Sequence, residues 1–284
     1  MEQIANSKTA TTKRTLNCVV YYDNYREVMS YLDSLNAVAL DSVDIIIVVN
    51  RDSAGESAKL LHEAIHMFPS FNIRLKDYGK NVGYLNALLL PIQDIDIEDY
   101  DYFILSNTDI EYVDKDFFNK LYSTKYPRSI SCIAPDVYTP STGSHSNPHY
   151  KNRLPKSKYN RLIRIFSLPI LAGLYTQMGA KILAHTSKRD KTPQSEFVYA
   201  PHGCYMILTK PFIKLICGYT YGVKLYSEEA AIGELSLKHG FKCFYDSNLV
   251  INHNESTVTG SINQKSRYEL WRESLIYIRD TFYQ

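Results

Sequence analysis

The chain has 284 residues, of which 45% are hydrophobic, enough to bury the core of one large domain or two small ones. Its 32 basic residues nearly balance its 30 acidic ones, so the overall charge does not indicate a nucleic-acid partner. The five cysteines form no CxxC pair, and the first sixteen residues contain no apolar signal segment. We therefore expect a protein of a reducing compartment, in the cytoplasm or at the cytoplasmic face of a membrane.

Strands and helices alternate through the first half of the chain. After a disordered tail over residues 1–14, the pattern predicts four strands, with helices between them at about 24–36, 56–67 and 81–90. The strands are expected at 16–22, 44–49, 72–75 and 102–106. They are apolar throughout, which is typical of parallel strands covered by helices on both faces. The sequence therefore predicts an α/β fold.

The regular alternation stops after residues 131–135 and returns with a strand at 204–208. Beyond that strand the pattern predicts a helix at 228–239, a strand at 243–251 and an amphipathic C-terminal helix at about 264–282. We therefore divide the chain into a first half at 15–136, an insertion at 137–197 and a second half at 198–284.

The insertion has a charge pattern of its own. Between residues 151 and 191 there are ten lysines or arginines and one acidic residue, Asp190, with apolar residues interleaved at 162–171. This pattern is typical of a segment that contacts anionic headgroups and a shallow apolar layer. The alternative is a helical subdomain that packs against the core or against a second subunit of an oligomer.

Polar residues follow the strand at 102–106, and Asn107, Asp109 and Glu111 are the candidates. Ligands of open α/β sheets bind at the carboxyl ends of the strands, where carboxylates can hold Mg²⁺ or Mn²⁺ against a diphosphate. The alternative is an ordinary surface turn. The aspartates between 94 and 101 precede the strand, so we interpret them as a solvated acidic loop at its other end.

Two further sites come late in the chain. Glu228 and Glu229 stand at a helix start, where a carboxylate is favoured in its ionised form and can accept a proton from a hydroxyl. The alternative is the ordinary preference of helix starts for glutamate. His253 follows an apolar strand and is either a metal ligand or a structural histidine.

A competing motif lies early in the chain. His62, Glu63 and His66 match the HExxH pattern of zinc hydrolases, with both histidines on one helical face. The helix must cover the predicted sheet, however, and no third ligand follows at a suitable spacing. The sequence contains no GxGxxG and no Walker A motif, so it gives no support to nicotinamide-dependent or P-loop chemistry.

Seven motifs stand in a characteristic order along the chain, at 19–24, 48–53, 81–86, 105–109, 203–206, 226–229 and 240–253. In this order they resemble the family 2 glycosyltransferases of the GT-A fold, most of all the rhamnosyltransferase-like members. The resemblance covers about residues 15–136 and 198–284 and leaves 138–195 unmatched.

The resemblance implies a Rossmann-like GT-A fold, with a mixed, mostly parallel sheet, helices on both faces, a basic helical insertion and a C-terminal helix. It also implies inverting transfer of a sugar from a nucleoside diphosphate, UDP- or dTDP-linked, to a hydroxyl group. The expected acceptor is a glycan, lipid-linked in the assembly of cell-surface polysaccharide such as O-antigen.

The same resemblance implies roles for individual residues. By position, Asp109 and His253 would bind Mn²⁺ or Mg²⁺, and Glu229, with Glu228 beside it, would be the catalytic base. The acceptor would contact His202 and Gly203. The nucleotide sugar would be held by Tyr21, Tyr22, Asn24, Asn50, Asp52, Asn81, Gly83, Asn86, Asn107 and Thr108.

Three residues depart from the family pattern. Asn50 replaces an aspartate that contacts the base or ribose, Glu229 replaces an aspartate, and Ala231 stands where many relatives have another acid. These changes leave the choice of donor open and admit a third hypothesis, a catalytically inactive relative that binds a nucleotide sugar.

Overall fold

The computed structural model describes residues 13–39, 42–51, 55–186, 194–254 and 263–284. Residues 1–12 of the predicted tail at 1–14 lie outside the described residues. Asp52 lies outside them as well.

The first half of the chain forms the predicted alternation. Its strands are β1 (Thr15–Tyr21), β2 (Val43–Val49), β3 (Asn72–Asp77) and β4 (Tyr102–Asn107), and its helices are α1 (Tyr25–Asn36), α2 (Gly55–Ile65) and α3 (Tyr84–Leu89). The four strands lie side by side in the order β3-β2-β1-β4, and every pair is parallel. The predicted parallel α/β arrangement is therefore confirmed for these four strands.

The rest of the chain extends the same sheet. The remaining strands are β5 (Ile110–Tyr112), β6 (Ile130–Thr139), β7 (Ser144–His145), β8 (Glu196–Val198), β9 (Tyr205–Thr209) and β10 (Lys242–His253). The remaining helices are α4 (Phe117–Ser123), α5 (Lys156–Phe166), α6 (Pro169–Thr186), α7 (Lys210–Ile216), α8 (Glu228–Lys238) and α9 (Gln264–Phe282). The full order is β3-β2-β1-β4-β9-β6-β10-β5, with β7 beside β6 and β8 beside β10.

The strand β9 changes the direction of the sheet. It runs antiparallel to both of its neighbours, β4 and β6, while β6 and β10 are parallel. An antiparallel strand begins where its parallel neighbour ends, so Tyr205 at the start of β9 lies opposite Ser106 near the end of β4. The residues just before β9 are thereby brought to the carboxyl edge of β4.

Helices cover both faces of the sheet, as predicted. Alternate residues of β1 point to opposite faces, Leu16 and Cys18 into one core cluster and Val19 and Tyr21 into the other. The first cluster is completed mainly by α3, α7 and α8, and the second by α1 and α4. The sheet is thus buried on both sides, as in the open α/β sheets that bind ligands at their strand ends.

The insertion is helical and packs against the C-terminal helix. Leu162 and Phe166 of α5 are buried against Tyr268 and Trp271 of α9. Just before α5, Arg153 makes a two-bond ion pair of 2.7 and 2.8 Å with the buried Glu234 of α8. Within the described residues no single helix is long and apolar enough to cross a bilayer. Only α5 and Pro169–Gly179 together, bent by 117°, have that length and composition.

A close approach of two loops positions the start of α8. Gly83, which precedes α3, has φ 90° and ψ 158°, and the amide of Tyr84 donates a 2.8 Å hydrogen bond to Lys224 O. The Asn86 side chain both donates to Tyr221 O at 2.9 Å and accepts from Tyr221 N at 2.8 Å. The segment that leads into Glu228 is therefore fixed to the first half of the chain.

We predict that Gly83→Ala lowers the free energy of unfolding by about 3 kcal/mol or more, because two costs add. The alanine must adopt a positive φ, and its Cβ would lie 3.1 Å from Lys224 Cα and Lys224 O. Gly79→Ala is the matched control, since Gly79 also has a positive φ, 66°, but its Cβ would meet no atom within 4 Å. We expect that control to cost about 1 kcal/mol. Urea unfolding followed by circular dichroism measures both, and equal losses would contradict the importance of the loop contact.

Candidate functional site

The candidate site begins where β4 ends. The amide of Asn107 donates to Cys204 O at 2.9 Å, which continues the β4–β9 pairing by one residue. Thr108 and Asp109 follow and are both buried, and the Thr108 hydroxyl donates to Glu27 Oε2 at 3.3 Å. Asp109 is therefore held at the carboxyl edge of the sheet, where the sequence predicted it.

Asp109 lies directly beside His253. Its Oδ2 is 3.3 Å from His253 Nε2, and the two side chains are only 5% and 12% exposed. The backbone enforces this proximity, because His253 pairs with Ile110 in the antiparallel β5–β10 ladder and Asn254 N donates to Asp109 O at 2.9 Å. The structure thus brings together the two residues that the sequence proposed as metal ligands. Glu111 takes a different direction and accepts hydrogen bonds from the Asn252 and Asn254 side chains.

His202 and Cys204 add donor atoms next to this pair. One ligand atom from each of His202, Cys204 and His253 lies within 4.8 Å of the others. Burial, with His149 and His253 nearby, lowers the pKa of His202 to about 3, so its imidazole is neutral near pH 7. Burial raises the pKa of the Cys204 thiol well above its usual range.

These residues fit a divalent metal ion. Carboxylate oxygen suits Mn²⁺ and Mg²⁺, and neutral imidazole is the most common nitrogen ligand for metals in proteins. Asp109 and His253 already have a ligand-to-ligand spacing that one ion can bridge. Imidazole beside carboxylate favours a transition ion such as Mn²⁺ over Mg²⁺, whose preferred ligands are oxygens.

The two glutamates of α8 follow a strained turn. Tyr226 and Ser227 have φ values of 72° and 61°, a left-handed conformation that is uncommon outside glycine. Their neighbours hold them there, since the Tyr221 hydroxyl donates to Tyr226 O at 2.6 Å and the Ser227 and Ser274 hydroxyls are 3.0 Å apart. Such strain persists where the surroundings enforce it, often at functional sites.

Glu228 and Glu229 have different environments. Glu228 is 5% exposed, and burial together with the charge of Glu229 raises the pKa of its carboxyl to about 8. Within the described residues Glu228 Oε1 has no hydrogen-bond partner. Glu229 is more accessible, with 16% of its side chain exposed, and its Oε1 lies 3.7 Å from His149 Nε2. Near pH 7 Glu228 is therefore mostly protonated, and Glu229 is the carboxylate that faces the site.

A row of three histidines connects Glu229 with Asp109. The ring centroids of His149 and His202 are 5.1 Å apart, and those of His202 and His253 are 5.6 Å apart. A Cβ on Gly203 would lie 3.4 Å from Glu229 Oε2, so the glycine leaves room for this carboxylate. The sequence analysis missed His149, because no motif surrounds it and its partners lie far away along the chain.

The predicted nucleotide-binding residues that the structure describes lie at the carboxyl ends of β1, β2 and β4 and at the starts of α1 and α3, and several already have structural roles. Asn24 caps α1 through Glu27 N, Asn50 Oδ1 accepts from Val82 N at 2.9 Å, and Asn81 Oδ1 accepts from Gly83 N at 2.9 Å. Tyr21 is buried, whereas the Tyr22 side chain is 46% exposed at the same edge. Asn50 therefore joins the turn at Val82 to the end of β2, and the oxygen of its side-chain amide is the acceptor that this contact needs.

The HExxH residues form no comparable site. His62 and Glu63 of α2 and His66 just after it are all exposed, and the two imidazole rings stack with centroids 6.5 Å apart. In the described parts of the chain, no third histidine, cysteine or acidic residue joins them as a ligand. The structure therefore gives no support to the zinc-hydrolase alternative.

No protein-family model and no curated protein matches the sequence. Solved structures do match it in fold. A mannosyltransferase from Pyrobaculum calidifontis, in complex with GDP-Man and Mn²⁺, has a TM-score of 0.57 at 10% identity over 87% of this chain and 59% of its own. GalNAc-T7 with UDP, GalNAc and Mn²⁺ has a TM-score of 0.57 at 12% identity over 95% and 50%. Residues 1–349 of S. aureus TarS with UDP-GlcNAc have a TM-score of 0.55 at 10% identity over 88% and 61%.

This chain thus spans about half to three-fifths of the length of these three structures. The similarity covers most of the present chain and includes both halves of the sheet. The predicted fold class is confirmed: the chain has the GT-A fold of nucleotide-sugar glycosyltransferases.

Proposed function

We propose that this protein is an inverting, divalent-metal-dependent glycosyltransferase that moves a sugar from a nucleoside diphosphate to a hydroxyl group. The observation that carries the proposal is the pairing of Asp109 with His253 at 3.3 Å at the strand-end edge of a GT-A fold. Glu229 lies at the other end of the histidine row from this pair. A metal-ligand pair on one side and a proton acceptor on the other are the two elements that such a transfer needs.

Asp109 and His253 would hold the metal ion. A bound ion of this kind neutralises the charge that develops on a departing diphosphate. The peptide hydrogen bond from Asn254 to Asp109 O and the β5–β10 pairing keep the two ligands in place before any ion binds. Such preorganisation lowers the cost of assembling the site.

Glu229 would take the proton from the acceptor hydroxyl as that oxygen attacks the anomeric carbon from the face opposite the diphosphate. Glu228 supports this role by remaining protonated, because its burial and the neighbouring charge of Glu229 both disfavour a second carboxylate. His149, 3.7 Å from Glu229, can orient the carboxylate. His202 and Gly203 border the same space and would contact the acceptor.

The nucleotide would bind along the ends of β1 and β2, where Tyr22 exposes a ring, beside the turn that Asn81 and Gly83 form ahead of α3. A UDP- or dTDP-linked donor remains our expectation, together with a rhamnosyltransferase-like specificity. The matched structures contain both UDP and GDP-Man, so the fold accommodates more than one base. For the acceptor we propose a glycan, lipid-linked in cell-surface polysaccharide assembly, used by an enzyme that binds peripherally at the cytoplasmic face of the membrane.

Nucleotide binding tests the metal site without knowledge of the acceptor. We predict that one of UDP, dTDP, GDP and CDP raises the melting temperature in the presence of Mn²⁺, by the equivalent of about 2.7 kcal/mol at 100 times its dissociation constant. Asp109→Ala and His253→Ala should each abolish the Mn²⁺-dependent part of the shift. His62→Ala is the control, an exposed histidine whose loss should change nothing. If none of the four nucleotides stabilises the wild type, the proposed function is wrong.

The assignment of the base is tested by turnover. We predict that Glu229→Gln lowers the rate of nucleoside diphosphate release in the presence of acceptor by about 100-fold or more and leaves the nucleotide-induced thermal shift unchanged. Near-normal turnover in this variant would reject Glu229 as the base. Donor binding with no turnover in the wild type, across a panel of acceptors, would instead favour the inactive relative.

The raised pKa of Glu228 predicts a pH dependence of stability. Between about pH 4.5 and about pH 8 the folded protein binds a proton at Glu228 that the unfolded chain releases, so this carboxyl makes stability fall as pH rises. Glu228→Gln should remove that decline. The free energy of unfolding of the variant, measured against that of the wild type, should therefore be about 2 to 4 kcal/mol more favourable near pH 8 than near pH 4.5. Urea unfolding across the window measures it.

Glu234→Gln is the control for this pH series, because Glu234 is buried in the same helix but is paired with Arg153. Its replacement should destabilise the protein without producing a relative gain at high pH. A Glu228→Gln variant that follows the wild-type pH profile would show that Glu228 is ionised in the folded protein.

A further inference from the structure

The helix α6 presents its small residues to the protein and its large apolar residues to the outside. Ala172 is fully buried, a Cβ on Gly173 would lie 3.7 Å from the Tyr268 hydroxyl, and the Thr176 hydroxyl is 3.2 Å from the same atom. These three positions lie on one side of the helix and face α9. The packing of α6 on the protein therefore does not use its large apolar side chains.

Those side chains lie on the opposite side of the helix and at the bend between α5 and α6. We refer to them as the apolar elbow, and its members are Leu168 (55% exposed), Ile170 (80%), Leu171 (45%), Leu174 (54%) and Met178 (62%). Isolated exposed apolar residues are normal on a protein surface, but a contiguous group on one helix indicates a surface that another molecule covers.

Basic residues border the elbow. Residues 151–179 contain six lysines or arginines and no aspartate or glutamate. Arg161 and Arg164 of α5 are exposed and line a groove of about 520 Å³ together with Ile165, Leu168 and Leu171. In the part of the chain that the structure describes, neither arginine makes an ion pair. The surface thus combines an apolar ridge with positive charges that are available to a partner.

We propose that the apolar elbow inserts into the headgroup layer of an anionic lipid membrane, with Arg161 and Arg164 contacting lipid phosphates. Charge complementarity selects this occupant. The positive side chains match the anionic headgroups, and the apolar side chains match the apolar layer beneath them. A second copy of this chain would place the same basic residues opposite one another across a two-fold interface and is electrostatically disfavoured.

Two routes connect the elbow with the candidate site. Phe166, at the end of α5, contacts Trp271 at a ring distance of 5.2 Å, and Trp271 contacts Tyr226 of the strained turn, two residues before Glu228, at 5.2 Å. On the other route, both Glu229 and Tyr175 of α6 lie near enough to Tyr150 to raise the pKa of its phenol, although burial is the larger cause. These contacts connect the helices that carry the elbow with the segment that carries the proposed base.

The proposed lipid contact deepens the proposed function and rests on it in one respect. An acceptor held in the membrane would reach Glu229 without leaving the lipid surface. Lipid binding itself involves neither donor nor acceptor and can be measured on its own.

The experiment is flotation of the full chain with vesicles of phosphatidylcholine, with or without phosphatidylglycerol. We expect the wild type to bind vesicles that contain phosphatidylglycerol, and to bind them less at high salt. Ile170→Asp/Leu174→Asp should weaken binding by about 100-fold, since two inserted side chains are lost. Arg161→Gln/Arg164→Gln should weaken it by about tenfold at low salt.

Matched controls carry the same changes elsewhere. Met67→Asp/Leu237→Asp replaces two side chains that are 67% and 49% exposed outside the elbow, and Lys125→Gln/Lys238→Gln removes two exposed lysines. Both control variants should bind vesicles like the wild type. A retained melting temperature shows that the elbow variants are folded. Should the aspartate pair fail to fold, Met178→Ser replaces it and should still weaken binding measurably.

Absence of wild-type binding to phosphatidylglycerol vesicles would overturn the proposal, as would equal losses in the elbow variants and their controls. Sedimentation equilibrium tests the competing occupant, a second copy of the chain. The elbow would be assigned to a second copy if the wild type is a dimer that does not bind vesicles and Ile170→Asp/Leu174→Asp converts it into a monomer. The nucleotide-induced thermal shift is read on the same proteins. Failure of lipid binding with an intact shift therefore rejects the elbow and the proposed peripheral membrane binding, and leaves the proposed metal-dependent sugar transfer standing.

Discussion

The site depends on the register of three residue pairs between β5 and the end of β10. This antiparallel ladder sets His253 opposite Ile110 and brings the Asn254 amide to the carbonyl of Asp109. A slip of one residue would turn the histidine to the other face of the sheet, because successive side chains alternate. The direction of β9 is the second requirement, since only an antiparallel neighbour of β4 carries its preceding residues to the edge where β4 ends.

The two adjacent glutamates at the start of α8 differ in burial, and this difference gives them different roles. Glu228 points into the protein and keeps its proton, while Glu229 faces the accessible space beside His149 and Gly203. The strained turn at Tyr226 and Ser227 sets which of the two carboxyls points inward. The contacts that hold this turn come from α9 and from Tyr221, which Asn86 in turn fixes to the first half of the chain. Residues far from the proposed reaction thus determine the geometry of the base.

The two helices of the insertion pack differently against the rest of the chain. Its first helix, α5, packs against α9 as a helical subdomain would, through Leu162 and Phe166. Its second helix, α6, presents large apolar side chains outward and contacts the protein through Ala172, Gly173 and Thr176. Packing within the chain buries the apolar face of α5 and leaves the apolar face of α6 exposed.

Local apolar patterns determined the elements that are long or strongly periodic. The predicted bounds of β1, β2, α1 and α9 agree with the structure to within one or two residues, and the position of Asp109 at a strand end followed from the same pattern. Short elements such as the three-residue β5 carry too little periodicity to be recognised, and β9 gives no sign in its own residues that it runs antiparallel. Tertiary structure alone decided that His149 approaches Glu229, that Asn50 and Asn86 bind backbone, and that Glu228 is the buried glutamate. Each of these contacts joins residues distant in the chain, and their proximity depends on strand order and register, which local sequence does not specify.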